Sequence, residues 1–408
     1  MTTSVLTASP KVAIIYDRTN TRYGGAEYLL AVLAQAFPGA DLLTSVSHHQ
    51  AVWQNKFKHI STTFLQKIPF AKTHHQWFLA LMPLAFESLN LDEYDIVISV
   101  SSGEAKGVLT KPHQLHIAYV LTPPRYLYQL EQTYLSTANW LKWPIINQLV
   151  LLMLKYIKWW DQSVSLRPDM IMALSHQVAS RITQAYDRKI KAVVYPPIKP
   201  FKIDQQLYPK LPSIAKYYLS VARLVEYKKI DLAIKACRKL QKTLLIVGVG
   251  VDLHRLQNLT GDDSWTRPAD MNFSTAIQYI AKHQPQICFL GSVHESDLTW
   301  LYAQTRAVLA PGIEDFGLVP LEMAQFGKPS LIHAQSGVAE VLTSHLAVHL
   351  KEQSLDAMIK GLLKLEKLKI SPAKLTSEVK KLSSQIFIQR MTKLVYDEWH
   401  SQRMAYDK

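Results

Sequence analysis

Short apolar runs alternate with amphipathic stretches almost from one end of the chain to the other, and this alternation limits the fold more than any other feature. Continuous apolar runs of strand length suit strands buried on both faces. Such strands need helices on both sides of their sheet, so the pattern calls for parallel βαβ units. Strands are expected over 12–16, 41–43, 96–100, 116–120, 170–174 and 192–195 in the first half. In the second half they are expected over 217–221, 243–247, 287–290, 307–310 and 330–333. Helices are expected over 26–36, 176–185, 230–240, 295–305 and 320–326. The fold class is therefore α/β, with two doubly wound, Rossmann-like sheets.

Pro196, Pro197 and Pro200 break the pattern near the middle. Three prolines so close together form neither a helix nor a central strand. A chain of 408 residues suits two domains at roughly 100–200 residues each. The domains are placed at 1–198 and 199–385, with a terminal helix over 386–408. In that helix Phe387, Met391, Leu394, Val395 and Trp399 recur at three-to-four spacing, an apolar stripe that must be buried. Ligands of doubly wound sheets bind beyond the carboxyl ends of the strands. A central cleft between two facing domains is thus the expected site. The polar segment 261–267 reads as a surface loop.

The net charge of +14 implies an anionic partner. The basic residues are spread along the chain and no nucleic-acid motif occurs. Phosphorylated ligands and an anionic membrane surface are therefore expected, and nucleic acid is not. Cys237 and Cys288 are the only cysteines, which disfavours a disulfide framework or a cysteine zinc site. The short polar start before the strand expected at 12–16 is not expected to be a secretory leader. The segment nearest to a membrane span, 140–160, is interrupted by Lys142, Pro144, Asn147, Lys155 and Lys158. The expected location is cytoplasmic, with contact to the inner face of the cytoplasmic membrane as an option. Segment 140–160 fits either a membrane-interface helix or a packed helix of the first domain. His48, His49, His74 and His75 have no carboxylate at ligand spacing, so they read as surface residues and no metal is expected.

Three constellations carry chemistry. Tyr23-Gly24-Gly25-Ala26-Glu27 follows the first strand and opens a helix, where backbone N–H groups can meet an anion. Arg223 and Lys228 follow the strand 217–221. A guanidinium fork and an ammonium point charge in one strand-to-helix loop suit a diphosphate. Glu314 and Glu322 flank Asp315, Phe316, Gly317 and Leu318, between a strand and a helix that Pro320 can open. Carboxylates accept charge-assisted hydrogen bonds from sugar hydroxyls, and Gly317 exposes backbone N–H groups beside them. The alternative is that these carboxylates are helix N-terminal acids that complement the dipole.

With these residues the chain resembles the family-4 retaining glycosyltransferases of GT-B fold. The spacing from Glu314 to Glu322 with Phe316-Gly317 between, Arg223 with Lys228, and Gly248 with Gly250 match its motifs. Phe289, Leu290 and Gly291, Leu298 to Tyr302, Gly327 to Pro329 and Gly337 to Glu340 continue the match. In the first half, 85–88, 94–99, 105–107 and 122–126 are similar to a subgroup that builds surface polysaccharides, many of whose members use GDP-mannose. The resemblance implies a donor that is a nucleotide sugar, with GDP-mannose first, and an acceptor that is a glycan or lipid-linked saccharide. It implies Arg223, Lys228 and Glu314 as catalytic residues. It implies Gly24, Gly25, Gly248, Asp315, Phe316, Gly317, Leu318 and Glu322 as donor contacts, with Glu314 at the sugar and Glu322 at the ribose. Arg125 and Tyr126 fall on the acceptor side. It implies no cofactor and no metal, in keeping with the lack of any Asp-x-Asp triplet, and a last helix that returns to the first domain. Leu121 stands where the family carries a histidine. That departure motivates an alternative, a non-catalytic member that binds a sugar nucleotide within an assembly complex.

Overall fold

The computed structural model describes residues 9–19, 24–48, 51–129, 144–201, 212, 214 and 216–406. Tyr23 and residues 140–143 lie outside them, so those parts of the motifs above are not described. The chain divides into two compact units, one of Met1–Pro197 with Ser384–Lys408 and one of Ile198–Ser383.

The first unit holds strands β1 (Val12–Tyr16), β2 (Asp41–Thr44), β3 (Ile60–Thr62), β4 (Ile96–Ser101), β5 (Leu115–Val120), β6 (Met170–Ala173) and β7 (Ala192–Val193). They form one sheet in the order β3-β2-β1-β4-β5-β6-β7, every pair parallel. β1, β4 and β5 are buried at every position, which is why their sequences are apolar without alternation. The helix Gly25–Ala36 packs against the last helix, Ser384–Tyr406. Phe387, Met391, Val395 and Trp399 bury the stripe of that last helix, with Phe387 6.3 Å from the ring of Tyr119. Leu394 is half-buried.

The second unit holds β8 (Tyr217–Val221), β9 (Thr243–Val247), β10 (Ser264–Thr266), β11 (Ile287–Gly291), β12 (Ala307–Ala310), β13 (Ser330–His333) and β14 (Val348–Leu350). Their order is β10-β11-β9-β8-β12-β13-β14, again all parallel. Segment 261–267 is not a plain surface loop. It contains a short turn and the edge strand β10, which pairs Trp265 with Cys288. Trp265 then stacks on Tyr279, centroids 4.8 Å apart, from the helix Phe273–His283. Cys237 and Cys288 are buried, free thiols, both pushed up to about 12 by burial.

In each sheet the chain leaves one central strand toward one edge and resumes beside it toward the other. The reversal falls between β1 and β4 in the first unit and between β8 and β12 in the second. Such switch points leave a crevice beyond the strand ends, where doubly wound sheets bind ligands.

Candidate functional site

Arg223, Lys228 and Glu314 all lie on the two loops that leave the second switch point. The loop after β8 is pinned by close backbone approach. A Cβ on Gly248 would lie 1.9 Å from Ala222 O, and one on Gly250 2.1 Å from Leu224 O. No other residue fits at either position. Ala222 N and Leu224 N donate to Val247 O and Val249 O at 3.1 and 3.0 Å, so the two loops are zipped together. A turn over Glu226–Lys228 follows, and Lys229 in the left-handed region opens the helix Ile230–Lys239.

The loop after β12 lies directly on that turn. A Cβ on Gly312 would be 2.8 Å from both Lys228 Cα and Tyr227 O. This contact brings Glu314 to Lys228, with Nζ 2.8 Å from Oε2 and both side chains largely buried. Tyr227 sits between the two cations. Its hydroxyl accepts from Arg223 Nη2 at 3.4 Å, and Lys228 Nζ lies 5.3 Å from its ring centre. Arg223 itself is exposed.

The loop is also tied to the segment after β13. Ser336 Oγ accepts from Glu314 N at 3.0 Å and donates to Gly312 O at 3.1 Å. Gly337 N and Val338 N donate to Glu314 O and Phe316 O at 3.2 and 2.6 Å. Gly317 adopts φ +95° as the residue before the helix Leu318–Ala324, a conformation open to glycine at little cost. Asp315 and Leu318 are half-buried beside it, and Phe316 is buried.

Glu322 projects from the first turns of that helix. Its Oε2 accepts from the buried Tyr302 hydroxyl at 2.6 Å. Burial holds its carboxyl above the usual carboxylate range, the Tyr302 hydrogen bond and Lys199 pull the other way, and Glu295 and Glu314 add to the rise. Tyr302 is fixed in turn by Phe201 and Phe326, centroids 5.7 and 5.9 Å away. Tyr227, Tyr302 and Ser336 carry no assignment from sequence.

The first switch point is built differently. Asp17, at the end of β1, accepts from Ser102 N at 2.7 Å, Ala105 N at 2.8 Å, Ser102 Oγ at 3.1 Å and Ser101 Oγ at 3.3 Å. This carboxylate holds the loop after β4 against the loop after β1. Glu104 on that loop is buried and accepts from Tyr126 Oη at 2.7 Å. Burial raises the Glu104 carboxyl, Arg18 opposes that, and Asp17 adds to it. Burial would lower the Arg18 guanidinium, but Glu104 and Asp17 outweigh it and hold Arg18 charged. Tyr126 thus reaches this cluster. Arg125 is half-buried one residue before it.

Gly24 precedes the helix Gly25–Ala36 in extended backbone, and Gly25 is exposed. The Glu27 carboxylate folds back toward this helix start, with Oε2 2.7 Å from where a Gly24 Cβ would stand. Leu121 is half-buried and its N donates to Ser101 O at 2.8 Å. His116 lies buried within β5, against Ser99 Oγ at 3.0 Å, and burial lowers its imidazole to about 3. His75 is lowered to about 4 by burial, with Arg18 and His74 adding to this.

The motifs at 85–88 and 105–107 serve packing. Glu87 accepts from Trp160 Nε1 at 2.9 Å and Arg167 Nη2 at 2.7 Å. Lys106 forms a fully buried ion pair with Asp161. A Cβ on Gly107 would meet the Trp160 ring at 2.3 Å. These contacts fasten the helix Pro144–Val164 to the helix Met82–Glu87 and to the turn after β4.

Comparison with known proteins follows the same division. Residues 209–382 match the model of glycosyl transferases group 1. The alpha-1,3/1,6-mannosyltransferase ALG2 of Candida glabrata is 31% identical over 191 residues, 40% of this chain and 41% of that protein. The chain thus spans about two fifths of the length of that curated relative. Among solved structures, sucrose-phosphate synthase from Thermosynechococcus elongatus superposes with a TM-score of 0.64 at 14% identity, over 96% of this chain and all of that one. Anabaena HepE in complex with UDP-glucose gives 0.58 at 14%, over 96% and 99%. The α/β architecture of two seven-stranded parallel sheets is that of the GT-B glycosyltransferases.

Proposed function

We infer that this chain, whose residues 209–382 match the model of glycosyl transferases group 1, is a glycosyltransferase that moves a sugar from a nucleotide-sugar donor to an acceptor. The observation that carries the inference is the meeting of Lys228 with Glu314 at the second switch point, with Arg223 beside them. An ammonium and a carboxylate 2.8 Å apart neutralise each other. A sugar diphosphate offers each a better partner, phosphate for the cation and hydroxyls for the carboxylate. Arg223 and Lys228 then stabilise the charge that builds on the departing diphosphate, the part of the reaction where fixed cations lower the barrier most. The helix Leu318–Ala324 starts in the same loop, and the first backbone N–H groups of a helix have no partner within it. Two cations are enough to carry this charge without a metal, and no metal is assigned to the reaction.

Glu322 binds the ribose hydroxyls through the oxygen that Tyr302 leaves available. Mannose from GDP-mannose is the donor we propose, supported by the mannosyltransferase relative and the motif around Glu314. Retention of configuration and a glycan or lipid-linked acceptor of a surface polysaccharide rest on the motif resemblance.

The test is a thermal-shift panel of nucleotide sugars followed by transfer assays. A donor at about 100 times its Kd adds about 2.7 kcal/mol by mass action, a clear rise in Tm. Arg223→Ala and Glu314→Ala should each abolish transfer. Near-wild-type transfer by both would refute the site, and a shift with a UDP-sugar but not GDP-mannose would refute the donor. Tight donor binding without hydrolysis or transfer would instead support the non-catalytic reading that Leu121 suggests.

A further inference from the structure

A second surface lies on the first unit. The helix Pro144–Val164 is anchored along one side by Ile157, Trp160, Asp161 and Val164, all buried. Its outward side is apolar. Leu149, Leu152, Tyr156 and Trp159 follow at helical spacing and are 62%, 62%, 45% and 64% exposed. A surface helix of a globular protein normally turns such residues inward. The helix packs against the segment His75–Leu81, on which Trp77 is 67% exposed. That segment runs into the helix Met82–Glu87, where Leu84 is also exposed. Single exposed apolar residues are ordinary, but a stripe of them on packed elements marks an interaction surface.

The charge around this surface selects the partner. Between Asp41 and Glu87 the sequence has no acidic residue, yet it has Lys56, Lys58, Lys67 and Lys72. Between Glu131 and Asp161 it again has none, with Lys142, Lys155 and Lys158. Lys67, Lys72 and Lys155 are exposed. Parts of these two segments, His75–Leu81 and Pro144–Val164, meet at the apolar stripe, and the exposed Lys155 stands on that helix between Leu152 and Tyr156. A second copy of the same face would set lysines against lysines, which opposes self-association. An apolar stripe on elements drawn from acid-poor, lysine-bearing segments matches an anionic bilayer, whose acyl boundary takes the apolar side chains and whose phosphates take the cations. Among the described residues no helix is long and apolar enough to cross a membrane, so the helix would lie in the interface.

We propose that the outward face of the helix Pro144–Val164, together with Trp77 and Leu84, docks this protein on an anionic membrane surface. The proposal stands on this surface alone and does not depend on the transferase reading. The test is co-sedimentation of the full chain with phosphatidylcholine vesicles, with and without about 30 mol% phosphatidylglycerol. Binding is expected only with the anionic lipid and should weaken at about 0.5 M salt. A Leu152→Gln/Trp159→Gln double variant should lower partitioning at least about tenfold, with Tm and donor-induced shift unchanged. A Lys67→Gln/Lys72→Gln/Lys155→Gln variant, altering no apolar contact, should also lose anionic selectivity. No vesicle binding by the wild type, or unchanged binding by both variants, would overturn the proposal. So would a self-associated wild type that the double variant makes monomeric without vesicle binding.

Discussion

Replacing Gly312 by alanine tests the reasoning about the second switch point most directly. Gly312 is not among the positive-φ glycines, so alanine brings no backbone strain of its own. The added Cβ would lie 2.8 Å from Lys228 Cα and Tyr227 O and 3.0 Å from Lys228 O. These are backbone atoms, which cannot swing aside as the end of a side chain can. Restoring ordinary contact requires the loops to part by about 0.6 Å, an overpacking cost of about 1–3 kcal/mol. The loop cannot absorb that shift locally, because the Ser336 hydroxyl holds both Gly312 O and Glu314 N. Glu314 therefore moves with Gly312, and its 2.8 Å approach to Lys228 opens. Misplacement by 1 Å near a reacting centre costs on the order of 10²-fold, so a shift of this size should cost about tenfold in kcat/KM. Tm should fall by a few degrees, at about 2–4 °C per kcal/mol for a domain of this size. The assay is transfer kinetics beside thermal melts, with Ser336→Ala as the companion that removes the tie without adding bulk. Wild-type kcat/KM and Tm in Gly312→Ala would refute the claim that this glycine sets the Lys228–Glu314 contact.

Further predictions concern buried charge and packing. Glu322 has a raised carboxyl pKa, so its contribution to stability is complete in acid and is lost as pH rises through the folded value. Glu322→Gln should therefore match the wild type in Tm below about pH 4 and exceed it at neutral pH, and an equal difference at both ends would contradict the assignment. Lys106→Ala leaves Asp161 buried without its cation and should cost about 3–5 kcal/mol in urea unfolding. The Lys106→Met/Asp161→Leu pair should recover much of that loss, and strictly additive single costs would show that the two do not act as a pair. Gly107→Ala drives a methyl into the Trp160 ring and should cost about 1–3 kcal/mol, read from the same unfolding curves.

What the sequence made legible follows from how each element is buried. β1, β8 and β9 lie in the centres of their sheets, so their runs were plain. β3, β10 and β14 sit at or near edges and span three residues each, too few for any period to appear. The helix Phe273–His283 carries signals, the Asn272 cap and the spacing of Phe273, Ala276, Ile277 and Ile280, but it follows the polar segment 261–267 and is not among the helices expected from sequence. At the site, glycines and charges were visible because their type and spacing are themselves the chemistry. Tyr227, Tyr302 and Ser336 were not, because a tyrosine or serine acquires its role only from the partner that folding brings to it.

The two switch points also differ in what they offer an anion, and spacing alone does not reveal this. In the second unit, glycines draw the loops together, and among the described residues Arg223 pairs with a tyrosine hydroxyl and not with a carboxylate. In the first unit a carboxylate, Asp17, draws the loops together, and it remains beside Arg18 along with Glu104. A phosphate approaching Arg18 would have to displace two carboxylates, and one approaching Gly24 would meet the Glu27 carboxylate at the helix start. Like charges so placed oppose a second anion more than the partial charge of a helix start attracts it. If the chain takes a sugar diphosphate as proposed, its capture falls to the loops after β8 and β12. The cluster of buried Glu104 with half-buried Arg18 and Tyr126 is better suited to neutral, hydroxyl-rich groups, which can take hydrogen bonds from it without adding charge.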